Sequence, residues 1–446
     1  MKRCILHISL ICLLSMAAAG VCRAADPADT TFCQLARFLS RGDASMMPCS
    51  GNVVDIIDTG TRKWELLVAD LEAARHTICM EYYRWRQDEA GDQIRDIILR
   101  KLSQGVQVKI LLEDLSNPFY RKDYYLELRD AGAQLQFFTD FDHQIWEMIP
   151  GINHRNHRKI VVIDDCIGYI GGMNLGVTNR DLWGDMHLRV TGPAVTSLNK
   201  LFYDMWNARK GPFLKRQEAR MAAMGDGISA DSDSTADAGF MPVAEEAAAL
   251  PDTTQFHPCA SHLEFRDKTV QVATGGAGDN LLEGGVCRLL ASATKYVYIQ
   301  TPYYCPTDTV FDALKSAARR GVDVCILISE ESDSKLMTEA NSAFYEESVA
   351  AGVRILLSPG RFFHTKSIVA DDYLSIIGSL NMDPRSLVIN HEAVALIYDA
   401  EVAAACRELF CSRAEGAREV TLEELESASR REKNRRHFWR RHSGQL

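Results

Sequence analysis

The sequence predicts an α/β fold built from two tandem and similar halves. Three observations predict it: one short motif occurs twice, the same order of strand-like and helix-like stretches surrounds each copy, and a polar segment separates the copies. The 446 residues are 46% hydrophobic and 25% charged, which is the composition of a globular protein with enough chain for two domains. We therefore expect two domains of similar structure.

The duplicated motif reads His-x-Lys-x4-Asp. Its copies are HRKIVVID at 157–164 and HTKSIVAD at 364–371. An asparagine and then an acidic residue follow each copy at matching offsets, and such gap-free repetition indicates duplication of one structural unit. The candidate site residues are His157, Lys159, Asp164, Asn174 and Asp185 in the first half and His364, Lys366, Asp371, Asn381 and Glu392 in the second.

Strands and helices are predicted to alternate ahead of each motif. Runs rich in β-branched and aromatic residues indicate strands, and stretches that end at Gly-Val or Ala-Gly indicate helices. In the order strand, helix end, strand, helix end, the first half has 78–85, 105–106, 108–112 and 131–132, and the second has 297–304, 321–322, 324–328 and 351–352. This order is typical of α/β domains.

The duplication also sets the predicted domain boundaries. Residues 26–213 form the first domain, and residues 263–446 form the second with a basic tail. Residues 214–262 are rich in Ala, Asp, Ser, Gly and Pro, a composition that favours a flexible connector.

The chain begins with a predicted leader. Lys2 and Arg3 precede a largely apolar run, and small residues follow near Ala24, a pattern typical of a signal peptide spanning residues 1–24. The run is also long enough for an uncleaved N-terminal anchor. Either interpretation predicts an exported protein that is periplasmic or attached to the outer face of the bacterial inner membrane.

Two histidines with two lysines suit phosphodiester exchange. One imidazole attacks phosphorus to form a phosphohistidine, while the other protonates the departing alkoxide and later activates the acceptor. In a strand, each histidine would share a face with its lysine. The lysines and asparagines can stabilise the phosphoryl oxygens, so we expect no metal and no other cofactor.

The acidic residues divide into two groups. Asp185 and Glu392 are expected to bond the far nitrogens of the imidazoles and fix their tautomers. Asp164 and Asp371 complete the motifs but fall at predicted strand ends, where turn hydrogen bonds or ion pairs are expected rather than direct catalysis.

These motifs resemble the HKD motif of the phospholipase D superfamily. The similarity to bacterial cardiolipin synthases extends from about Ser45 to Asp399, and its most specific segments are 82–83, 156–159, 183–195, 301–304 and 381–386. The resemblance implies that the domains pack about a pseudo-twofold axis, with both motifs in one cleft. It also implies metal-independent transfer of a phosphatidyl group from phosphatidylglycerol, or a related phospholipid, to a lipid hydroxyl.

Other functions remain open at this point. The same site could serve a hydrolytic phospholipase D that releases phosphatidic acid, or a phosphodiesterase or nuclease of the superfamily. It could also belong to a non-catalytic protein that binds phospholipid or a protein partner. The net charge of −10 argues against general nucleic-acid binding. The seven cations and two aromatic residues between Arg430 and Arg441 suit an anionic membrane surface, although a solvated basic terminus would look the same.

Overall fold

A computed structural model of the chain describes residues 27–113, 116–117, 123–138, 154–208, 263–276 and 278–442. The predicted leader (1–24) and connector (214–262) lie outside these residues. Among the helices that are described, none is long and apolar enough to cross a membrane.

The first half contains five α-helices that are interspersed with its strands in the described ranges. Thr59 and Asp88 cap two of these helices by accepting the N–H groups of Arg62 and Gly91. The elements are α1 (Pro27–Ser40), β1 (Cys49–Ile57), α2 (Gly60–Ala73), β2 (Thr77–Tyr82), α3 (Glu89–Ser103), β3 (Gln107–Leu112), α4 (Asp123–Asp130), β4 (Gln134–Phe137), β5 (Ile160–Ile163), β6 (Ile167–Gly171), β7 (His187–Thr191) and α5 (Ala194–Ala208), with α5 closing the half. A π-helical turn (Thr178–Leu182) precedes β7.

The second half repeats this order and extends it at its end. Its elements are β8 (Glu264–Gly275), α6 (Leu281–Ser292), β9 (Tyr296–Gln300), α7 (Asp308–Arg319), β10 (Asp323–Ser329), α8 (Lys335–Ser342), α9 (Tyr345–Ala350), β11 (Arg354–Ser358), β12 (Ser367–Ala370), β13 (Leu374–Gly378), β14 (Glu392–Tyr398), α10 (Ala400–Ala414), β15 (Arg418–Glu419), α11 (Leu422–Ser427) and α12 (Arg430–His442). A π-helical turn (Arg385–Ile389) again precedes the last long strand.

All fifteen described strands belong to one sheet with a symmetric order. Outward from the central β1–β8 pair, the first half runs β1-β7-β6-β5-β2-β3-β4 and the second runs β8-β14-β13-β12-β9-β10-β11, with β15 added at the edge. Strands at matching positions come from matching places in the two halves. The predicted duplicated α/β fold with a pseudo-twofold relation is confirmed.

The two halves share part of their core. β1 pairs antiparallel with β8 at the centre of the sheet, and one buried cluster contains Val54 and Trp206 from the first half together with Val272 and Leu409 from the second. Because side chains from both halves are buried in the same cluster, separating the halves would expose them to water. The shared cluster therefore fixes the orientation of the two halves relative to each other.

Helix α1 lies within the predicted first domain (26–213) but packs against the second half. Phe32 and Leu35 are buried in the cluster that contains helix α6, and Gln271 Nε2 of β8 donates to Ala36 O over 2.9 Å. Because β1 lies at the middle of the sheet, the helix that precedes it can cover either half. The packing, rather than the order along the chain, decides its partner.

The regular strands begin after the motif lysines rather than at the histidines. Strands β5 and β12 start at Ile160 and Ser367, and every residue in them is buried, as their apolar composition predicted. The prediction that each histidine and its lysine lie in such a strand is therefore wrong, because both residues precede the strand. The histidine segments instead pair across the boundary between the halves.

Candidate active site

Backbone pairing between the halves brings both motifs into one cleft. His157 N donates to His391 O over 2.9 Å, and His364 N donates to Gly184 O over 2.6 Å. The bonds form pseudo-symmetric parallel bridges between the segment ahead of each motif strand and the segment ahead of the other half's last long strand. Each histidine is thus positioned by backbone from the other half.

Each imidazole is held by a carboxylate from the opposite half. His157 Nδ1 lies 2.9 and 3.0 Å from the two carboxylate oxygens of Glu392, and His364 Nδ1 lies 3.0 Å from Asp185 Oδ2. An ionised carboxylate can only accept, so Nδ1 carries the proton and Nε2 keeps its lone pair. Asp185 and Glu392 thus contact the ring nitrogens for which the sequence proposed them. Because each carboxylate comes from the half opposite to its histidine, both halves are needed to form the site.

The carboxylates are fully buried and are themselves held in place. Ser386 Oγ, in the second π-helical turn, donates to Glu392 Oε1 over 2.8 Å. Met186 N donates to Asp185 Oδ1 over 2.7 Å. These bonds fix the direction in which each carboxylate faces its imidazole.

Burial keeps both resting imidazoles neutral. It lowers the pKa of His157 to about 4 and that of His364 to about 3, and the neighbouring lysines act in the same direction. Burial also acts to raise the carboxylate pKa values, but His157 and Lys159 outweigh it at Glu392, and Lys366 and His364 outweigh it at Asp185, so both are lowered. An anionic phosphodiester in the cleft would favour an imidazolium, which supplies the acid that catalysis needs.

The two motif lysines lie in the same buried layer as the histidines. Lys159 Nζ donates to His157 O over 2.5 Å, and Lys366 Nζ donates to His364 O. Burial lowers the pKa of Lys366 to about 8 and that of Lys159 well below its usual range. Each ammonium has further N–H groups available for phosphoryl oxygens.

The two predicted asparagines lie in segments that pair with those following β2 and β9. Asn174 and Asn381 are both buried. Asn174 Oδ1 accepts from Arg84 N over 3.2 Å, which fixes the amide, while Asn381 Oδ1 has no partner among the described residues. Both amides have N–H groups that could donate to a phosphoryl oxygen.

Asp164 and Asp371 lie away from the histidines and act on the backbone. Strand β5 separates Asp164 from the site by four residues, or about 13 Å. Asp164 accepts from the N–H groups of Arg75, His76 and Thr77, and Asp371 accepts from those of the pseudo-symmetric turn at 294–296. The structure therefore places the two motif aspartates outside the reacting centre, in turns that anchor β2 and β9.

Aromatic side chains form the walls of the cleft. The Tyr83 ring lies 4.8 Å from the His157 ring and 5.3 Å from Lys159 Nζ. Trp183 and Tyr303 lie 5.2 and 6.3 Å from the His364 ring. Rings this close to both imidazoles can limit the access of water to them.

Sequence reasoning missed several buried polar residues around the site. Lys63 is completely buried and donates to Met173 O over 2.8 Å, beside the loop that carries Asn174. A signal for it exists, since Lys63 interrupts the apolar stripe Gly60, Trp64, Leu67 and Leu71 at helical spacing. His187 is also buried and Arg413 is half-buried, and neither had such a signal.

Two buried imidazoles, each bound by a carboxylate and accompanied by a lysine, define a class of enzyme that exchanges phosphodiesters by way of histidine. The family described as cardiolipin synthase, PLD-like domain, matches residues 67–206 and 286–413. The chain belongs to this family, and it is a phosphatidyltransferase of the phospholipase D type.

Individual relatives agree with this assignment. Cardiolipin synthase A of Pseudomonas entomophila (strain L48) is 32% identical over 395 residues, covering 86% of this chain and 73% of that protein. The major cardiolipin synthase ClsA of Bacillus subtilis (strain 168) is 29% identical over 385 residues, covering 84% and 71%. A crystal structure of phosphatidylserine synthase from Haemophilus influenzae Rd KW20 has a TM-score of 0.62 at 15% identity and covers 94% of this chain and 100% of its own, which shows the shared fold.

Proposed function

We propose that this enzyme transfers a phosphatidyl group from phosphatidylglycerol, or a related phospholipid, to the hydroxyl of a second lipid and so makes cardiolipin. The observation that carries the proposal is that each half supplies the carboxylate that binds the histidine of the other half. Because Glu392 and Asp185 occupy Nδ1 of the two imidazoles, Nε2 is the reactive atom on both. Two such atoms, one from each half, suit a reaction that needs a nucleophile and an acid in turn.

The reaction proceeds in two steps. In the first, one Nε2 forms a bond to phosphorus, the bond from phosphorus to the glycerol oxygen breaks, and the other imidazolium gives its proton to that oxygen. In the second, the imidazole that acted as the acid takes the proton of the incoming hydroxyl. The hydroxyl oxygen bonds to phosphorus while the bond from phosphorus to the nucleophilic Nε2 breaks, which restores the free histidine. Lys159, Lys366, Asn174 and Asn381 stabilise the negative phosphoryl oxygens throughout.

The acceptor in this proposal is a lipid hydroxyl. Relatives that match most of this chain are cardiolipin synthases by name, and the aromatic walls around both imidazoles disfavour water. A hydrolytic phospholipase D would pass through the same phosphohistidine and differ only in this second step.

We place the reaction outside the cytoplasm, at an anionic membrane surface. The support is the sequence pattern of the leader at 1–24 and the basic helix α12 at the end of the described chain. The enzyme would then meet phosphatidylglycerol at the outer face of the inner membrane.

The proposal is tested with labelled phosphatidylglycerol vesicles in the presence of a chelator. We expect the wild type and the exposed control His76→Ala to form cardiolipin and release glycerol, and His157→Ala and His364→Ala to form none. Acid-labile, base-stable label on the protein after a rapid quench would identify the phosphohistidine. Phosphatidic acid without cardiolipin would show hydrolysis instead, and the absence of any lipid product would overturn the proposal.

A further inference from the structure

Helix α12 has two different faces. Its half-buried positions are Lys433, Arg436, Trp439 and Arg440, which recur at helical spacing. Its remaining positions are exposed, and they include Phe438, whose side chain is 53% exposed. The basic segment is therefore an ordered helix with a protein face and a solvent face.

The protein face is held against the second half by ion pairs and a hydrogen bond. Arg440 contacts Asp308 at 2.8 Å and Glu347 at 3.2 Å, and Trp439 Nε1 donates to Glu339 Oε2 over 2.9 Å. Glu339 belongs to α8, so these contacts attach α12 to helices α7, α8 and α9. The inner cations are thereby used in holding the helix in place.

One outer cation, Arg435, lies 3.5 Å from Glu339. Arg431 and Arg441 have no such partners among the described residues. On a helical projection, Arg431 and Arg441 lie within about 60° of Phe438, because residues advance by roughly 100° each. Within the described part of the chain, no acidic side chain forms an ion pair with Arg431 or Arg441. The outer face therefore combines an exposed aromatic ring with unneutralised positive charge.

Helix α8, against which α12 packs, also contacts the segment that carries the active-site wall. Helix α8 follows parallel strand β10, and its Asn341 Oδ1 accepts from Tyr304 N over 2.8 Å, beside Tyr303 and the His364 ring. The other exposed large hydrophobic side chains of the described residues are Leu336, on α8 and 45% exposed, and Leu182, 42% exposed. Leu182 adjoins Trp183, which lies 5.2 Å from the His364 ring.

We propose that a membrane rim, made of Leu182, Leu336 and Phe438 with Lys335, Arg431 and Arg441, seats the enzyme on a bilayer rich in anionic phospholipid, with the cleft facing the lipid. Apolar side chains beside unpaired cations are the chemistry that recognises such a surface. The helix would also orient the enzyme, since α12 is fixed to the helix that supports the Tyr303 wall. This inference rests on the proposed function only for the identity of the lipid substrate.

Vesicle flotation of the full chain tests the rim. Binding to phosphatidylcholine vesicles should be weak and should rise when phosphatidylglycerol is included. Replacing two cations in Arg431→Ala/Arg441→Ala should weaken binding to the mixed vesicles by roughly 30-fold, and Leu336→Ser/Phe438→Ser by roughly 10-fold or more. The control Arg266→Ala removes a highly exposed cation on β8 that is paired with Glu264 and should bind like the wild type.

Turnover separates this inference from the proposed function. Rim variants should turn over dispersed short-chain phosphatidylglycerol at the wild-type rate and vesicular phosphatidylglycerol more slowly. The rim would be overturned if its variants floated with the vesicles as the wild type does, or if the control lost as much binding as they do. It would also be overturned if DNA displaced the wild type and the rim variants from the vesicles equally. A wild type that floats but forms no lipid product would overturn the proposed function and leave the rim standing.

Discussion

Replacing Glu392 by glutamine should disable His157 in particular, although the two residues belong to different halves. The carboxylate lies 2.9 and 3.0 Å from His157 Nδ1 and is fully buried. Glutamine keeps the size of the side chain but removes the charge, and its amide N–H can face the imidazole. The ring can then adopt the other tautomer, with its proton on Nε2, where the reaction needs a lone pair.

The expected loss is large. A hydrogen bond to a charged group contributes about 1.5–3 kcal/mol, and 1.36 kcal/mol corresponds to tenfold in rate, so the bond alone accounts for roughly 10- to 100-fold. Loss of the correct tautomer in a Ser-His-Asp triad lowers kcat by about 10⁴. We therefore expect Glu392→Gln to lower kcat for phosphatidylglycerol by roughly 10² to 10⁴, with a smaller change in KM.

Nitrogen NMR of the imidazoles tests which histidine is affected. Glu392→Gln should change the tautomer signature of His157 and leave that of His364 unchanged, and Asp185→Asn should do the reverse. The signals are assigned with the two histidine-to-alanine variants. If Glu392→Gln instead perturbed His364 and spared His157, each carboxylate would serve its own half and the crossed arrangement would be wrong.

Three further outcomes follow from the buried and turn-forming charges. Asp164→Ala and Asp371→Ala should each lower the free energy of unfolding by about 1–3 kcal/mol while kcat changes less than twofold, as urea unfolding and turnover would show; a large fall in kcat with unchanged stability would contradict their structural role. Backbone amides outweigh burial and lower the pKa of Asp164, so its stabilisation is present above the unfolded value of about 3.9 and is lost as the pH falls through the folded value; Asp164→Asn should flatten this acid limb in an unfolding series. Burial lowers the pKa of Lys63 from 10.5 to about 7, so the wild type should gain stability relative to Lys63→Met as the pH rises from 7 toward 10, and parallel curves would refute it.

Much of the site could be predicted because the motif is duplicated. His157 and His364 taken singly are ordinary histidines, but the repetition of His, Lys, Asn and an acidic residue at matching offsets identifies a shared chemical task. The strand assignments around β2, β5, β9 and β12 were accessible for a related reason, since runs of buried β-branched residues are local patterns. The site residues and the fold class therefore required no knowledge of packing.

Pseudo-symmetric positions that differ between the halves could not be predicted in this way. Arg158 contacts buried Glu81 at 2.7 Å beside the first motif. In the second half, Arg413 of α10 donates to Thr365 Oγ1 over 2.8 Å and to Gln300 Oε1 over 2.9 Å. The second motif thus obtains its guanidinium from a distant helix, and no spacing along the chain indicates that substitution.

The sequence by itself determined the duplication, the α/β class and the set of candidate catalytic groups, because each of these is encoded in local order and spacing. Only the tertiary structure decided that Glu392 serves His157 and Asp185 serves His364, and that α1 covers the second half. Those pairings depend on the antiparallel contact of β1 with β8, which sets the halves about a twofold axis. Such an axis brings the segment before the last long strand of one half beside the segment before the motif strand of the other. These segments are far apart along the chain, so the sequence alone does not show that they meet.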